Sequence, residues 1–121
     1  MNSVKKIQEQ LTKNLLVPII LDLLDGQPMC GYEMMLTIKK TYGVKFGAST
    51  MYPALSNLES KDLVTSEWNM DQHRPKKVYK LTREGQYALN YSVGALSQIC
   101  RTLDNVNAKS AKNIQMGVLV E

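Results

Sequence analysis

The chain has 121 residues, enough for one domain, or one domain with an added helix. Its longest apolar run, Leu15 to Leu24, is interrupted by Pro18 and Asp22, so no segment predicts a membrane span, and the opening MNSVKKIQEQL lacks the apolar stretch of a secretory leader. Fifteen Lys and Arg against eleven Asp and Glu give a net charge of +4, which favours an anionic partner only weakly on its own; Cys30 and Cys100 are too far apart in sequence for a metal-ligand pair and are expected to be reduced thiols of a cytoplasmic protein.

Residues 4–24 predict a first helix. Val4, Ile7, Leu11 and Leu15 recur at spacings of three and four, and Pro18, lacking an N–H, is expected to bend it. Asp25-Gly26-Gln27-Pro28 is a stop signal, with Gly26 in the place of a C-terminal cap. A second helix is predicted from Gly31 to Tyr42 and ended by Gly43, with Tyr32, Met35 and Ile38 as its buried stripe. The third, from about Ala48 to Lys61, places Ala48, Met51, Leu55 and Leu58 on one face. Ser49, Pro53, Ser56, Asn57 and Ser60 fall on the other; Pro53 is early enough to cost little, because the first N–H groups of a helix have no intrahelical partner.

Two alternating runs follow, residues 63–70 and 76–81, and predict an antiparallel pair. The loop between them ends in His73-Arg74-Pro75-Lys76-Lys77, a basic edge. Trp68 shares a face with Val64 and Ser66 and is expected to pack on the sheet. Thr82 suits the N-cap of a long final helix, with Gly85 one turn in. Along that helix Leu89, Leu96 and Leu103 are spaced by seven, flanked by Val93, Ile99, Cys100 and Val106. Such a stripe on an appended helix is expected to form a homodimer seam; the alternative is packing on the chain's own residues 4–15. The expected organisation is a DNA-binding domain over residues 1–82, a dimerisation helix over 83–110 and a tail over 111–121.

The expected architecture is therefore mainly α with a small β-hairpin: a winged helix-turn-helix plus a long C-terminal helix. A helix offering small polar side chains can enter the major groove, and a ribbon with a cationic tip can reach the neighbouring backbone or minor groove. Catalytic motifs are absent: there is no phosphate-binding glycine loop, no HExxH and no GxSxG, and His73 has no evident carboxylate partner. Neither catalytic residues nor a metal or other cofactor are expected.

Five ordered segments carry a closer likeness: Gly31-Tyr32-Glu33; Ser49-Thr50-Met51-Tyr52-Pro53-Ala54-Leu55 with Leu58-Glu59; Leu63-Val64 with Ser66-Glu67-Trp68; Arg74-Pro75-Lys76-Lys77-Val78-Tyr79; and Leu81-Thr82-Arg83-Glu84-Gly85. In these the chain resembles the PadR family of winged-helix transcriptional regulators, in its compact branch with a single C-terminal helix. The resemblance implies a homodimeric repressor on a pseudo-palindromic operator in double-stranded DNA. It also implies Ser49, Thr50, Tyr52 and Asn57 as recognition-helix contacts, Arg74, Lys76 and Lys77 as wing contacts, and Tyr32 as a phosphate contact. Two departures stand out. His73 occupies the place of the usual wing glycine, and the stretch Tyr91–Leu96 lacks the tryptophan with which some compact members hold flat aromatic drugs. A small-molecule effector is left undefined by the sequence, and a winged-helix module working through protein contacts is the alternative function.

Overall fold

The structure, a computed structural model, describes residues 2–71 and 73–115, with side chains described as far as residue 106. Its elements in chain order are α1 (Asn2–Asn14), α2 (Leu16–Gly26), β1 (Met29–Cys30), α3 (Gly31–Tyr42), α4 (Ala48–Ser60), β2 (Val64–Asn69), β3 (Lys76–Leu81) and α5 (Arg83–Gln115). The chain divides into two compact units, Met1–Leu89 and Asn90–Glu121, with α5 starting in the first and continuing into the second.

The first predicted helix is two helices, and the break falls at Leu15 rather than at Pro18. The reason is the i→i−4 ladder. Pro18 has no N–H to give to the Asn14 carbonyl, and its ring crowds that carbonyl, so the chain yields one turn earlier. Leu15 N–H closes α1 on Leu11 O and Thr12 O, and Ile19 N–H opens α2 on Leu15 O. Gly26 is the last residue of α2 rather than a left-handed cap, since Gln27 beyond it is fully extended and Gly43 is the glycine with positive φ among the described residues.

Gly43, at φ 73°, turns its N–H back to Lys39 O and ends α3. The end of α4 uses an aspartate in the same way. Asp62 takes φ 61°, its N–H meets Glu59 O, and Leu63 N–H reaches back to Leu58 O. That is the paired closure of a Schellman motif, with a short polar side chain where glycine is usual.

The hairpin β2–β3 pairs Val64 with Leu81 and Trp68 with Lys77. A third strand, β1, missed in the sequence, joins the other side of β3 through Met29 with Tyr79 and Cys30 with Val78, so the order is β1-β3-β2. The core gathers Ile20, Leu21 and Leu24 of α2, Met34 and Ile38 of α3, Met51, Leu55 and Leu58 of α4, Val64, Tyr79, and Leu89 of α5. On α3 the buried stripe is Met34 and Ile38; Tyr32, placed there by periodicity, is 63% exposed, and Met35 is half-buried. Ala48 is likewise exposed at the start of α4.

Two glycines explain why the quoted segments need their residue types. A Cβ on Gly31 would stand 2.6–2.9 Å from the ring and hydroxyl of Tyr52, so a side chain at the start of α3 would force the outer end of that tyrosine to move. A Cβ on Gly85 would collide with the Leu63 carbonyl. That carbonyl is held in place by Thr82, whose N–H and hydroxyl reach it at 3.2 and 3.0 Å, while the hydroxyl also meets Asp62 O at 2.7 Å. Thr82 Oγ1 in turn accepts Gly85 N–H at 2.9 Å, as an N-cap should. The turn after α4 and the start of α5 are thereby fastened to each other.

The candidate nucleic-acid interface

α4 is anchored from below. Met51, Leu55 and Leu58 are 0–2% exposed, which fixes the helix in rotation. Ser49, Thr50, Ser56 and Asn57 are consequently exposed, together with Pro53. Tyr52 lies on the flank at 40% exposure, its ring against Gly31. All four candidate positions on this helix therefore reach the surface, as the 3.6-residue period requires.

The hairpin is tied to α4 by one carboxylate. Glu59 Oε2 accepts the Ser66 hydroxyl at 2.5 Å, and Oε1 stands 3.8 Å from Lys77 Nζ. Lys77 Nζ also lies 5.8 Å from the centre of the Tyr79 ring. Burial, then the charge of Glu59 and the neighbouring Tyr52, push the Tyr79 hydroxyl pKa up from its ordinary value. Lys77 is thus half-buried and engaged within the domain, whereas Arg74 and Lys76 are exposed. All three basic wing residues reach the surface, Arg74 and Lys76 as exposed residues and Lys77 with 38% of its side chain exposed beside Glu59. Glu59 was visible in the sequence as part of a segment; its role was not, because its partners Ser66 and Lys77 are separated from it by 7 and 18 positions.

Tyr32 and Glu33 open α3. Glu33 Oε1 accepts the Cys30 N–H at 2.9 Å. This bond first, then the Cys30 side chain, hold the Glu33 carboxyl below its ordinary pKa; burial opposes them, and the charge of Lys76 adds the least. Trp68, expected to pack on the sheet, is 62% exposed. Its strand parity is as predicted, but burial falls along that face of β2 from Val64 at 1% through a half-buried Ser66 to Trp68 at the outer end. Tyr32, Tyr52, Trp68, Arg74, Lys76 and Lys77 border one cavity; Ser49, Thr50 and Asn57 lie outside it.

On α5 the expected seam loses one member. Leu89 is 4% exposed and belongs to the core of the first unit. Its seven-residue spacing from Leu96 is real, but the first step of the series is consumed by the chain's own fold. Leu96 is half-buried, while Val93, Ile99, Leu103 and Val106 are 51–59% exposed and Cys100 is exposed as well. α5 is helical through Gln115, so the tail expected from 111 begins inside helix; residues 116–121 lie outside the described residues.

A buried-backed helix presenting small polar side chains, beside a three-stranded wing with cations at its tip, defines a winged helix-turn-helix protein of the DNA-binding kind. Comparison with known proteins carries this further. The model of the transcriptional regulator PadR-like family matches residues 20–91. Transcriptional regulator Rv3488 of Mycobacterium tuberculosis is 31% identical over 72 residues, which are 60% of this chain and 67% of that protein. The crystal structure of a PadR family transcriptional regulator from Eggerthella lenta superposes with a TM-score of 0.77 at 28% identity, over 87% of this chain and 92% of that one. The structure of Bacillus subtilis PadR in complex with operator DNA superposes with a TM-score of 0.61 at 27% identity, over 65% of this chain but 45% of that longer one. The chain belongs to the PadR-like family of transcriptional regulators, whose members regulate transcription and are not enzymes. Among the described residues no helix is long and apolar enough to cross a membrane, and no cluster of His, Cys, Asp and Glu could hold a metal ion.

Proposed function

We propose that this chain is a homodimeric, cytoplasmic repressor that binds a pseudo-palindromic operator. α4 enters the major groove, where Ser49, Thr50, Tyr52 and Asn57 meet base edges and adjacent phosphates. Arg74, Lys76 and Lys77 hold the flanking backbone or the minor groove from the wing, with Tyr32 donating to phosphate. The residues left to the dimer seam are Val93, Leu96, Ile99, Leu103 and Val106, assisted by Val4, Ile7 and Leu11 of α1, which are 57–63% exposed.

The observation that carries this reading is the rigid backing of α4. Three fully covered side chains beneath it orient an exposed polar face, and the Glu59–Ser66–Lys77 cluster sets the wing beside it. A family member whose crystal structure contains operator DNA, Bacillus subtilis PadR, supports DNA as the partner. Two chains related by a two-fold axis present two such helices with opposite polarity, so half-sites should be inverted repeats with centres about 34 Å apart, or a multiple of that.

The test is selection of bound genomic fragments by the purified protein, followed by titration of the selected site at fixed salt. Insertion of roughly five base pairs between half-sites should rotate one of them to the far face of the duplex and sharply reduce affinity. Unchanged affinity would mean that single chains bind independently. Absence of any salt-dependent duplex binding would instead favour a module working through protein contacts.

A further inference from the structure

The cavity beside the recognition helix has the lining of a small-molecule site. It is a groove, open to solvent on one side, of about 560 Å³ between the start of α3, the middle of α4 and the wing, within the size range of ligand pockets. Its walls carry the aromatic rings of Tyr32, Tyr52, Trp68 and Tyr79, the cations of Arg74, Lys76 and Lys77, and the hydroxyl of Ser56. Every one of these residues belongs to the first compact unit.

The charges can be sorted. Lys77 faces Glu59 at 3.8 Å. Lys76 acts on Glu33, which also lines the cavity and whose Oε1 is engaged by the Cys30 N–H. Arg74 forms no ion pair among the described residues. The space therefore combines exposed aromatic faces with a guanidinium and a lysine able to meet an anion. Aromatic faces take up a planar base whatever its sequence identity, and a guanidinium forks onto phosphate.

We infer that this cavity binds a free nucleotide, with the base against Trp68 and Tyr32 and the phosphate on Arg74 and Lys76. The site would be unlike an allosteric pocket in one respect. Tyr32, Tyr52, Arg74 and Lys76 are also proposed DNA contacts, so nucleotide and operator compete directly for the same side chains. Binding of one weakens the other by an equal factor, as linkage requires. This competition rests on the DNA-binding reading above; the nucleotide site itself does not.

Trp68 is the chain's single tryptophan, so its fluorescence reports the cavity without a label. Titrate the protein, free of DNA, with AMP, GMP and CMP, and separately with ribose 5-phosphate, inorganic phosphate and 2-naphthoate. Saturable quenching by at least one nucleotide is expected. Ribose 5-phosphate and phosphate, which have no ring to stack, should not saturate in the same range. Arg74→Gln should weaken the nucleotide about tenfold or more, the loss expected for a charge-assisted hydrogen bond. Arg101→Gln, the same charge change on α5, should not. With a labelled operator duplex, nucleotide at ten times its own Kd should raise the apparent DNA Kd about elevenfold.

No saturable quenching by any nucleotide would overturn the proposal. So would equal weakening by Arg101→Gln, which would mean bulk charge rather than a site. Quenching by 2-naphthoate as tight as by nucleotides would overturn the nucleotide assignment. Quenching by duplex alone would show the cavity to be nothing more than DNA-facing surface. Nucleotide quenching without any effect on operator binding would keep the site and remove the competition.

Discussion

α4 and the outer part of α5 are both amphipathic helices, and they differ in what their apolar faces meet. On α4 the face formed by Met51, Leu55 and Leu58 is closed off within the core, with α3 and β2 packed against the helix, leaving 0–2% of each side chain exposed. On α5 beyond Leu89, Val93, Ile99, Leu103 and Val106 remain more than half exposed. A satisfied apolar face makes a platform: it fixes the rotation of the helix and so decides which side chains face outward. An unsatisfied one stays open to a partner, since leaving four aliphatic side chains in water forgoes roughly 1.5–3 kcal/mol for each that a partner could bury. One period of hydrophobic residues is thus covered on one helix and open on the other, and the neighbours decide which.

The comparison can be broken most forcefully at the platform. Leu55→Ala should destabilise the winged-helix unit by about 2–5 kcal/mol through lost transfer energy and a residual cavity, read as a lower denaturation midpoint at every protein concentration. A loss under 1 kcal/mol, allowing for about 0.5 kcal/mol of error, would mean that the face beneath α4 is loosely packed and does not orient it.

Next comes the interface. Leu103→Glu should leave helical content intact and weaken self-association by on the order of 3 kcal/mol, because a charge would be placed between apolar surfaces. Sedimentation of both proteins at micromolar concentration decides it. Wild type behaving as a monomer, or a mutant as dimeric as wild type, removes the seam from α5.

A smaller effect separates reading by the platform from holding by the wing. Asn57→Ala should cost roughly 1–3 kcal/mol on the selected operator and far less on random duplex. Lys76→Ala should weaken both duplexes alike and lower the salt slope by about one unit. The assignment fails if the two variants exchange these behaviours.

The smallest concerns the start of α3. Glu33 has a folded-state pKa held below its ordinary value by the Cys30 N–H, so its contribution to stability is present above that ordinary value and is lost as pH falls through the folded one. Glu33→Gln can still accept the Cys30 N–H but cannot titrate. It should therefore show a shallower loss of thermal stability than wild type between about pH 6 and about pH 3. Parallel curves would mean that the bond is as strong in the unfolded ensemble as in the native state, or absent from both.

Much of the winged helix-turn-helix was legible before any coordinate. The outward set on α4 follows from helical period alone, and its inward set is the core as found, apart from Ala48. Thr82 and Gly85 were recognisable because capping depends on residue type at fixed local offsets, and the structure supplies the bonds that the pattern implies. The break before Pro18 was also available in principle. A proline disturbs the carbonyl four positions earlier, so the kink belongs at Asn14–Leu15 rather than at the proline itself.

Other features needed the packed chain. β1 has two residues and no period to read; it is a strand because β3 offers it a partner. Trp68 has the parity of a buried residue and the exposure of a surface one, because parity assigns a side chain to a face but not the extent to which that face is covered. Leu89 and Leu103 occupy equivalent places in a seven-residue series, yet one is core and the other is not. Composition, periodicity and local capping determined which elements form and which way each of them faces, since those depend on residues within a turn or two. Which faces are covered, which lysine is committed to Glu59 and which aromatic rings surround a common cavity were decided by tertiary structure alone, because they depend on segments remote in sequence arriving at the same place.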